Sequence, residues 1–226
     1  MGSKKLLVLL LALVIGGGLQ ASESDQEAKM DQVIGVIRDI SQIPEETIPP
    51  VLLSNARAVA IIPAVIKIGL IIGGRYGKGV ISVRRADGGW SRPSFVTITG
   101  GSVGWQIGAQ ATDVILVFKS EESVNELVEG KFTLGADASV AAGPVGRAAS
   151  AATDVGLKAE IYSYSRSRGL FAGIALNGAN LELQAFDNDR YYREHGITPQ
   201  RIFNDDTPYL PPSARQLISL LNREMK

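Results

Sequence analysis

Between residues 58 and 118 the chain runs through apolar, β-branched segments separated by turn residues, with no stretch of helical period among them. "AVAIIPAVIKIGLII" opens the series, interrupted by Pro63. "GVISVRR" and "SFVTITG" flank "ADGGW", where Asp87-Gly88 favours a hairpin turn. "TDVILVF" (112–118) is almost wholly apolar and is expected to be buried on both faces. No regular alternation of strand and helix supports a doubly wound parallel sheet. The pattern instead predicts an α+β domain whose sheet is mainly antiparallel and barrel-like.

Helical signals lie outside this block and in one insertion. Met30, Val33, Ile34, Ile37 and Ile40 recur at helical spacing in "SDQEAKMDQVIGVIRDIS", with Ser24 or Asp25 available as a cap. Pro49–Pro50 opens a short helix, as proline suits a first turn. "SEESVNELVEGK" carries serine caps, early acids and a terminal Gly130. "DNDRYYREHG" reads as a short helix, and an amphipathic helix begins near Pro212 or Ser213. Residues 135–152 are dominated by alanine and glycine, which fits tight backbone packing, a mobile loop or a surface against lipid or a neighbour. In "KAEIYSYSRSR" strand alternation sets Tyr162, Tyr164, Arg166 and Arg168 on one face and Ile161, Ser163, Ser165 and Ser167 on the other. Asn177-Gly178 is the strongest hairpin signal in the chain.

Lys4 and Lys5 precede an apolar run from Leu6 to Ile15 and then "GGGLQASES", the layout of a secretory signal peptide with cleavage after Ala21. The run is shorter than the roughly 20 residues of a spanning helix, the feature of the alternative, an N-terminal anchor. The expectation is an exported protein, periplasmic or peripheral on the envelope membrane. Removing Lys4 and Lys5 from 23 basic residues leaves 21 against 23 acidic ones, so no global basic excess points to nucleic acid.

Catalytic chemistry finds few residues to use. The absence of cysteine removes disulfides, thiolate metal sites and thiol nucleophiles, and His195 is the sole histidine. Ser163, Ser165 and Ser167 have no histidine base in a patterned setting and no G-x-S-x-G elbow. "GGRYGKGV" fails as a phosphate loop, because Gly77-Lys78 is followed by Gly79 and Ile72 stands where the first glycine is required. It reads instead as a glycine-rich turn presenting Arg75 and Lys78. Asp113 and Asp154 suit structural capping of backbone amides. The expectation is a non-enzyme without metal or cofactor.

Cations are locally organised. Lys67, Arg75, Lys78, Arg84, Arg85 and Arg92 fall between residues 67 and 92 against Asp87 alone, and Arg166 and Arg168 extend a tyrosine-bearing strand. A basic face of this kind suits anionic headgroups, each cation contributing about 1 kcal/mol; a solvated strand face fits the same pattern.

"GGRYGKGVISVRR", "WSRPSFVTITGGSVGWQIGAQATDVILVF", "GKFTLGADASVAAGPVGRAASAATD" and "AEIYSYSRSRGLFAGIALNGANL" followed by "YYRE" resemble, in order, the SYLF-domain family of lipid-binding proteins, from about Pro49 to Tyr192. The resemblance implies a non-catalytic module with a compact, barrel-like sheet flanked by helices. Eukaryotic members bind phosphoinositides and, in some, actin filaments; an exported chain meets no actin, so phosphatidylglycerol, cardiolipin or lipid A phosphates are the expected partners. The expected layout is a signal peptide (1–21), a helical segment (22–48), the lipid-binding domain (49–192) and a C-terminal extension (193–226). Charge places headgroups at Lys67, Arg75, Lys78, Arg84, Arg85, Arg166 and Arg168. The alternative is an envelope interaction protein docking a partner through its C-terminal helix.

Overall fold

The computed structural model describes residues 25–42, 48–69, 72–103, 110–145, 157–167 and 170–225. Long β-branched runs become β1 (Ala58–Gly69), β2 (Ile72–Val83), β3 (Ser94–Val103) and β4 (Gln110–Phe118), and shorter ones β5 (Phe132–Thr133), β6 (Val140–Ala142), β7 (Ile161–Ser167), β8 (Leu170–Gly173) and β9 (Ala179–Leu183). They form one sheet ordered β5-β9-β3-β2-β1-β4-β7-β6, with β8 on β7. All described pairings between these strands are antiparallel except β6 with β7.

The Asn177-Gly178 turn forms, but its flanking strands do not pair with each other. β8 pairs with β7, whereas β9 pairs with β3 and β5 across the sheet. Only residues 174–178 separate β8 from β9, a reach of roughly 20 Å. That short tether draws the two ends of the sheet together and curls it into a half-barrel. The hairpin expected there is thus a handover from one side of the curl to the other.

β1, β2 and β4 present apolar residues to both faces, so two cores form. Inside the curl lie Ile62, Leu116, Phe118, Phe132 and Leu181, closed by Val124 and Leu127 of α3 (Glu121–Glu129). Ser120 caps α3 by accepting from the Ser123 amide, as its sequence forecasts. Outside the curl, Ile61, Val80, Phe95, Ile115 and Tyr164 meet a helix layer. This layer comprises α1 (25–41), α2 (Pro50–Ser54), α4 (Ala185–Tyr192), α5 (Pro199–Phe203) and α6 (Pro212–Glu224). The apolar stripe of α1 and the Leu217, Leu220 and Leu221 face of α6 are buried in this one core.

β1 crosses Pro63 without ending. Its register shifts between Ile62 and Val65, Ala64 takes φ +50°, and Asp113 Oδ1 accepts the Ala64 amide at 3.0 Å. Asp113 therefore has the capping role expected of it. "GGRYGKGV" is not a turn but part of β2, and its glycines let β2 close on this bulge: a Cβ on Gly79 would lie 2.0 Å from the Ile61 carbonyl oxygen. Arg75 and Lys78 consequently point to opposite faces. In the Ala/Gly-rich segment, whose residues 146–152 lie outside the described ones, Gly143 sits under the Tyr164 ring, where a Cβ would come within 2.0 Å. Tight packing is the reading that fits there.

Candidate functional site

The seven cations expected at headgroups do not share a face. At the end of the sheet carrying the 84–93 connection, Arg84 is a backbone clamp. Its guanidinium donates to the carbonyls of Leu53 (2.8 Å), Gly88 (3.0 Å) and Met225 (3.1 Å) and stands 4.2 Å from the Trp90 ring centre. Burial and nearby Arg57 lower its pKa. Arg85 pairs with Asp87 at 2.7 Å and with Asp205, and Arg92 reaches the same Asp205 at 3.4 Å. These three arginines tie the loop after β2 to α6 and to the segment before it.

On the helix-covered face, Arg166 pairs with Asp39 of α1 at 2.8 Å and with Asp113 of β4 at 3.1 Å. Tyr162 and Tyr164 do not form a wet tyrosine surface beside it. Both are buried, and Tyr164 stacks on Phe171 with ring centres 5.2 Å apart. Burial raises the Tyr164 phenol pKa far above its usual value. Ser163 is also fully buried, its hydroxyl engaged with the Ala141 and Ile174 carbonyls, so it is a packing residue.

Lys78 lies on the same face, at the floor of a cleft of about 400 Å³ between α1 and α4. Its ammonium donates to Asp187 Oδ2 at 2.9 Å, which raises the lysine pKa, and Gln26 Nε2 donates to Asp187 Oδ1 at 2.9 Å. Lys29 and Arg190 line the cleft as well, with the Arg190 guanidinium 3.9 Å from the centre of the exposed Phe186 ring. Burial, then repulsion from Lys78, lowers the Lys29 pKa, against attraction from Asp113. Sequence patterning overlooked this constellation, because its members come from positions 26, 29, 78, 187 and 190. Helical spacing of Gln26 with Lys29 and of Asp187 with Arg190 was the local signal.

Lys67 and Arg75 remain. They are cross-strand partners near the β1–β2 turn, on the inner side of the curl at its mouth. Neither makes an ion pair among the described residues, and burial lowers the Arg75 pKa. One residue along, Ile66 and Tyr76 pair across the same strands and are 41% and 49% exposed; Leu170, on β8, is 72% exposed. Arg168 lies outside the described residues, as does Asp154. His195 is exposed on a turn against Asp189, far in sequence from any patterned nucleophile.

Comparison with known proteins bears on this arrangement. Residues 99–224 match the family model described as "Ysc84: Las17-binding protein actin regulator". The chain is 37% identical over 180 residues to Protein YSC84 of Saccharomyces cerevisiae, covering 78% of this chain and 38% of that protein. An SH3 domain-containing protein of Schizosaccharomyces pombe is 39% identical over 184 residues, 80% of this chain and 42% of the relative. The SH3 domain-containing YSC84-like protein 1 of Xenopus laevis is 32% identical over 202 residues, 89% and 59% of the respective chains. The chain thus spans between about two fifths and three fifths of the length of these relatives.

Proposed function

Because the chain belongs to the Ysc84, or SYLF-domain, family, we propose that it is a non-catalytic module that binds anionic phospholipid headgroups at the surface of a bacterial envelope membrane, after export directed by its N-terminal segment. The observation that carries this reading is the mouth of the half-barrel. There the paired Lys67 and Arg75 have no internal counter-ion among the described residues, and the next rung of the same two strands carries exposed Ile66 and Tyr76 on the opposite face. Cations and exposed apolar side chains at one end of a strand pair are what a headgroup layer rewards. Two cations at about 1 kcal/mol each correspond to roughly thirtyfold in partitioning. Arg84, Arg85 and Arg166, engaged within the fold, hold the scaffold that presents the mouth.

Liposome flotation with phosphatidylglycerol in phosphatidylcholine tests the reading. Bound protein rises with anionic fraction, falls with salt, and drops roughly thirtyfold in a Lys67→Ala/Arg75→Ala double variant. Binding that ignores anionic content, or survives in that variant, refutes it. A second reading, a protein-docking role, is favoured by the family description itself, which names a protein partner for relatives. A partner in that case meets the polar side of α6, since its apolar side is in the core.

A further inference from the structure

The bulge in β1 inserts one extra residue between the core and the mouth. Ile61 pairs with Val80 and Ile62 with Val114, but past the bulge Ile66 pairs with Tyr76 and Val65 with Thr112. Carried on without the extra residue, the first register would set Val65 against Tyr76, Ile66 against Arg75 and Lys67 against Gly74. A shift of one residue turns every side chain to the other face. The bulge is therefore what brings Lys67 beside Arg75 on the inner side and Ile66 beside Tyr76 on the outer side.

Little in β1 itself favours that arrangement. Pro63, without an amide hydrogen, breaks the ladder and leaves the register beyond it to other bonds. Ala64 stands at φ +50°, a left-handed conformation that an L-residue resists. Lys67 and Arg75 are like charges directly opposite, which is unfavourable in a strand pair. In its favour, Val65 is buried in the inner core and lies over Gly77, where a Cβ would come within 2.7 Å of the valine Cγ2. The remaining support comes from outside the strand. Asp113 Oδ1 accepts the Ala64 amide at 3.0 Å, while its Oδ2 accepts Arg166 Nε at 3.2 Å and Nη2 at 3.1 Å. Asp39 of α1 pairs with the same Arg166 Nη2 at 2.8 Å. Residues of α1, β7 and β4 thus converge on one backbone amide of β1.

We infer that Asp113, held by Arg166 and Asp39, is a positioning residue for the mouth: it locks the bulge at Ala64 and so keeps Lys67 opposite Arg75. Loss of the lock lets the outer half of β1 slip by one residue, which carries Lys67 to the outer face and parts the two cations. Because Asp39 lies on α1, the seating of that helix and the register of the mouth are coupled. The consequence for binding rests on the headgroup reading of the mouth; the register does not.

Paired thiols report the register, since the chain has no cysteine of its own. Directly opposite residues of an antiparallel pair are within disulfide reach, and residues on opposite faces are not. Lys67→Cys/Arg75→Cys therefore oxidises roughly tenfold faster than Ile66→Cys/Arg75→Cys in the otherwise native chain, read as loss of maleimide labelling in a glutathione buffer. Asp113→Ala abolishes or inverts this preference, and adding Ala64→Gly, which removes the left-handed penalty, restores it. Asp39→Asn, at a half-exposed ion pair on the helix surface, lowers the preference about threefold and decides the matter where Asp113→Ala does not fold. Equal rates in the native background, an unchanged preference in either acid variant, or a loss that Ala64→Gly does not reverse overturns the inference. Flotation on phosphatidylglycerol vesicles is a separate readout. Asp113→Ala falls to the level of Lys67→Ala/Arg75→Ala if the mouth takes headgroups; if the wild type does not float, the headgroup reading fails and the thiol result still decides the register.

Discussion

Replacing Arg84 by alanine separates a scaffold arginine from a headgroup arginine. Its guanidinium makes well-formed bonds to three carbonyls, at 2.8 Å to Leu53, 3.0 Å to Gly88 and 3.1 Å to Met225. Net contributions of about 0.5–1.5 kcal/mol each, plus about 0.5–1 kcal/mol for stacking on Trp90, are partly offset by the desolvation of the cation. A loss of about 2–4 kcal/mol follows, or roughly 4–16 °C in Tm for a domain of this size. Arg84→Lys keeps the charge, but one ammonium cannot span carbonyls on α2, the 84–93 connection and the end of α6, so it recovers no more than about half of that loss. Thermal melts and urea titrations of both variants supply the stability. Flotation at 20 °C, where each variant is still folded, supplies the lipid affinity. The clamp predicts clear destabilisation with unchanged flotation. An Arg84→Ala protein that melts with the wild type and yet loses anionic vesicles refutes the assignment and returns Arg84 to the headgroup surface.

Two further outcomes test the packing and the electrostatics. Leu217→Ala truncates a fully buried contact of α6 and is expected to lower stability by about 2–5 kcal/mol in urea unfolding; a neutral result would mean that α6 is a dispensable docking element. Glu160 accepts the Ser139 amide at 2.8 Å, the Ser139 hydroxyl at 3.0 Å and the Ser123 hydroxyl at 3.2 Å, and these bonds, the Ser139 amide foremost, hold its pKa below the usual carboxylate value. A depressed carboxylate adds stability above its unfolded pKa and loses it as pH falls through the folded one. The gap in urea midpoint between wild type and Glu160→Gln therefore narrows from pH 6 to pH 3; a constant gap contradicts the charge dependence.

Local features were legible in the sequence where local physics decides them. The α1 stripe from Met30 to Ile40, the serine cap at 120 and the proline starts of α2 and α6 need only neighbours within a few residues. The double burial of β4 followed from an unbroken apolar run. Long-range choices were hidden. Asn177-Gly178 has the chemistry of a hairpin, yet β9 finds its partner in β3, some eighty residues earlier, because that pairing closes the curl. "GGRYGKGV" has the composition of a turn, but its glycines answer a steric demand from the β1 bulge, visible only once the strands are paired.

Charge clusters misled for a related reason, and the same reason locates the candidate sites. Neighbouring residues of a strand alternate between faces, so a basic run is divided by the sheet rather than gathered by it. Here both faces are covered, which makes an unpaired cation in the middle of the sheet costly. Arg166 accordingly meets Asp39 and Asp113, Arg85 meets Asp87 and Asp205, and Arg84 meets a ring of carbonyls. The candidate sites lie at two kinds of place. One is the mouth, where β1 and β2 run past the core and Lys67 and Arg75 escape compensation. The other is the seam between α1 and α4, where Lys29, Lys78 and Arg190 line one cleft. A ligand for this fold is therefore to be sought at the margins of its two cores, and substitutions there change binding with little effect on stability.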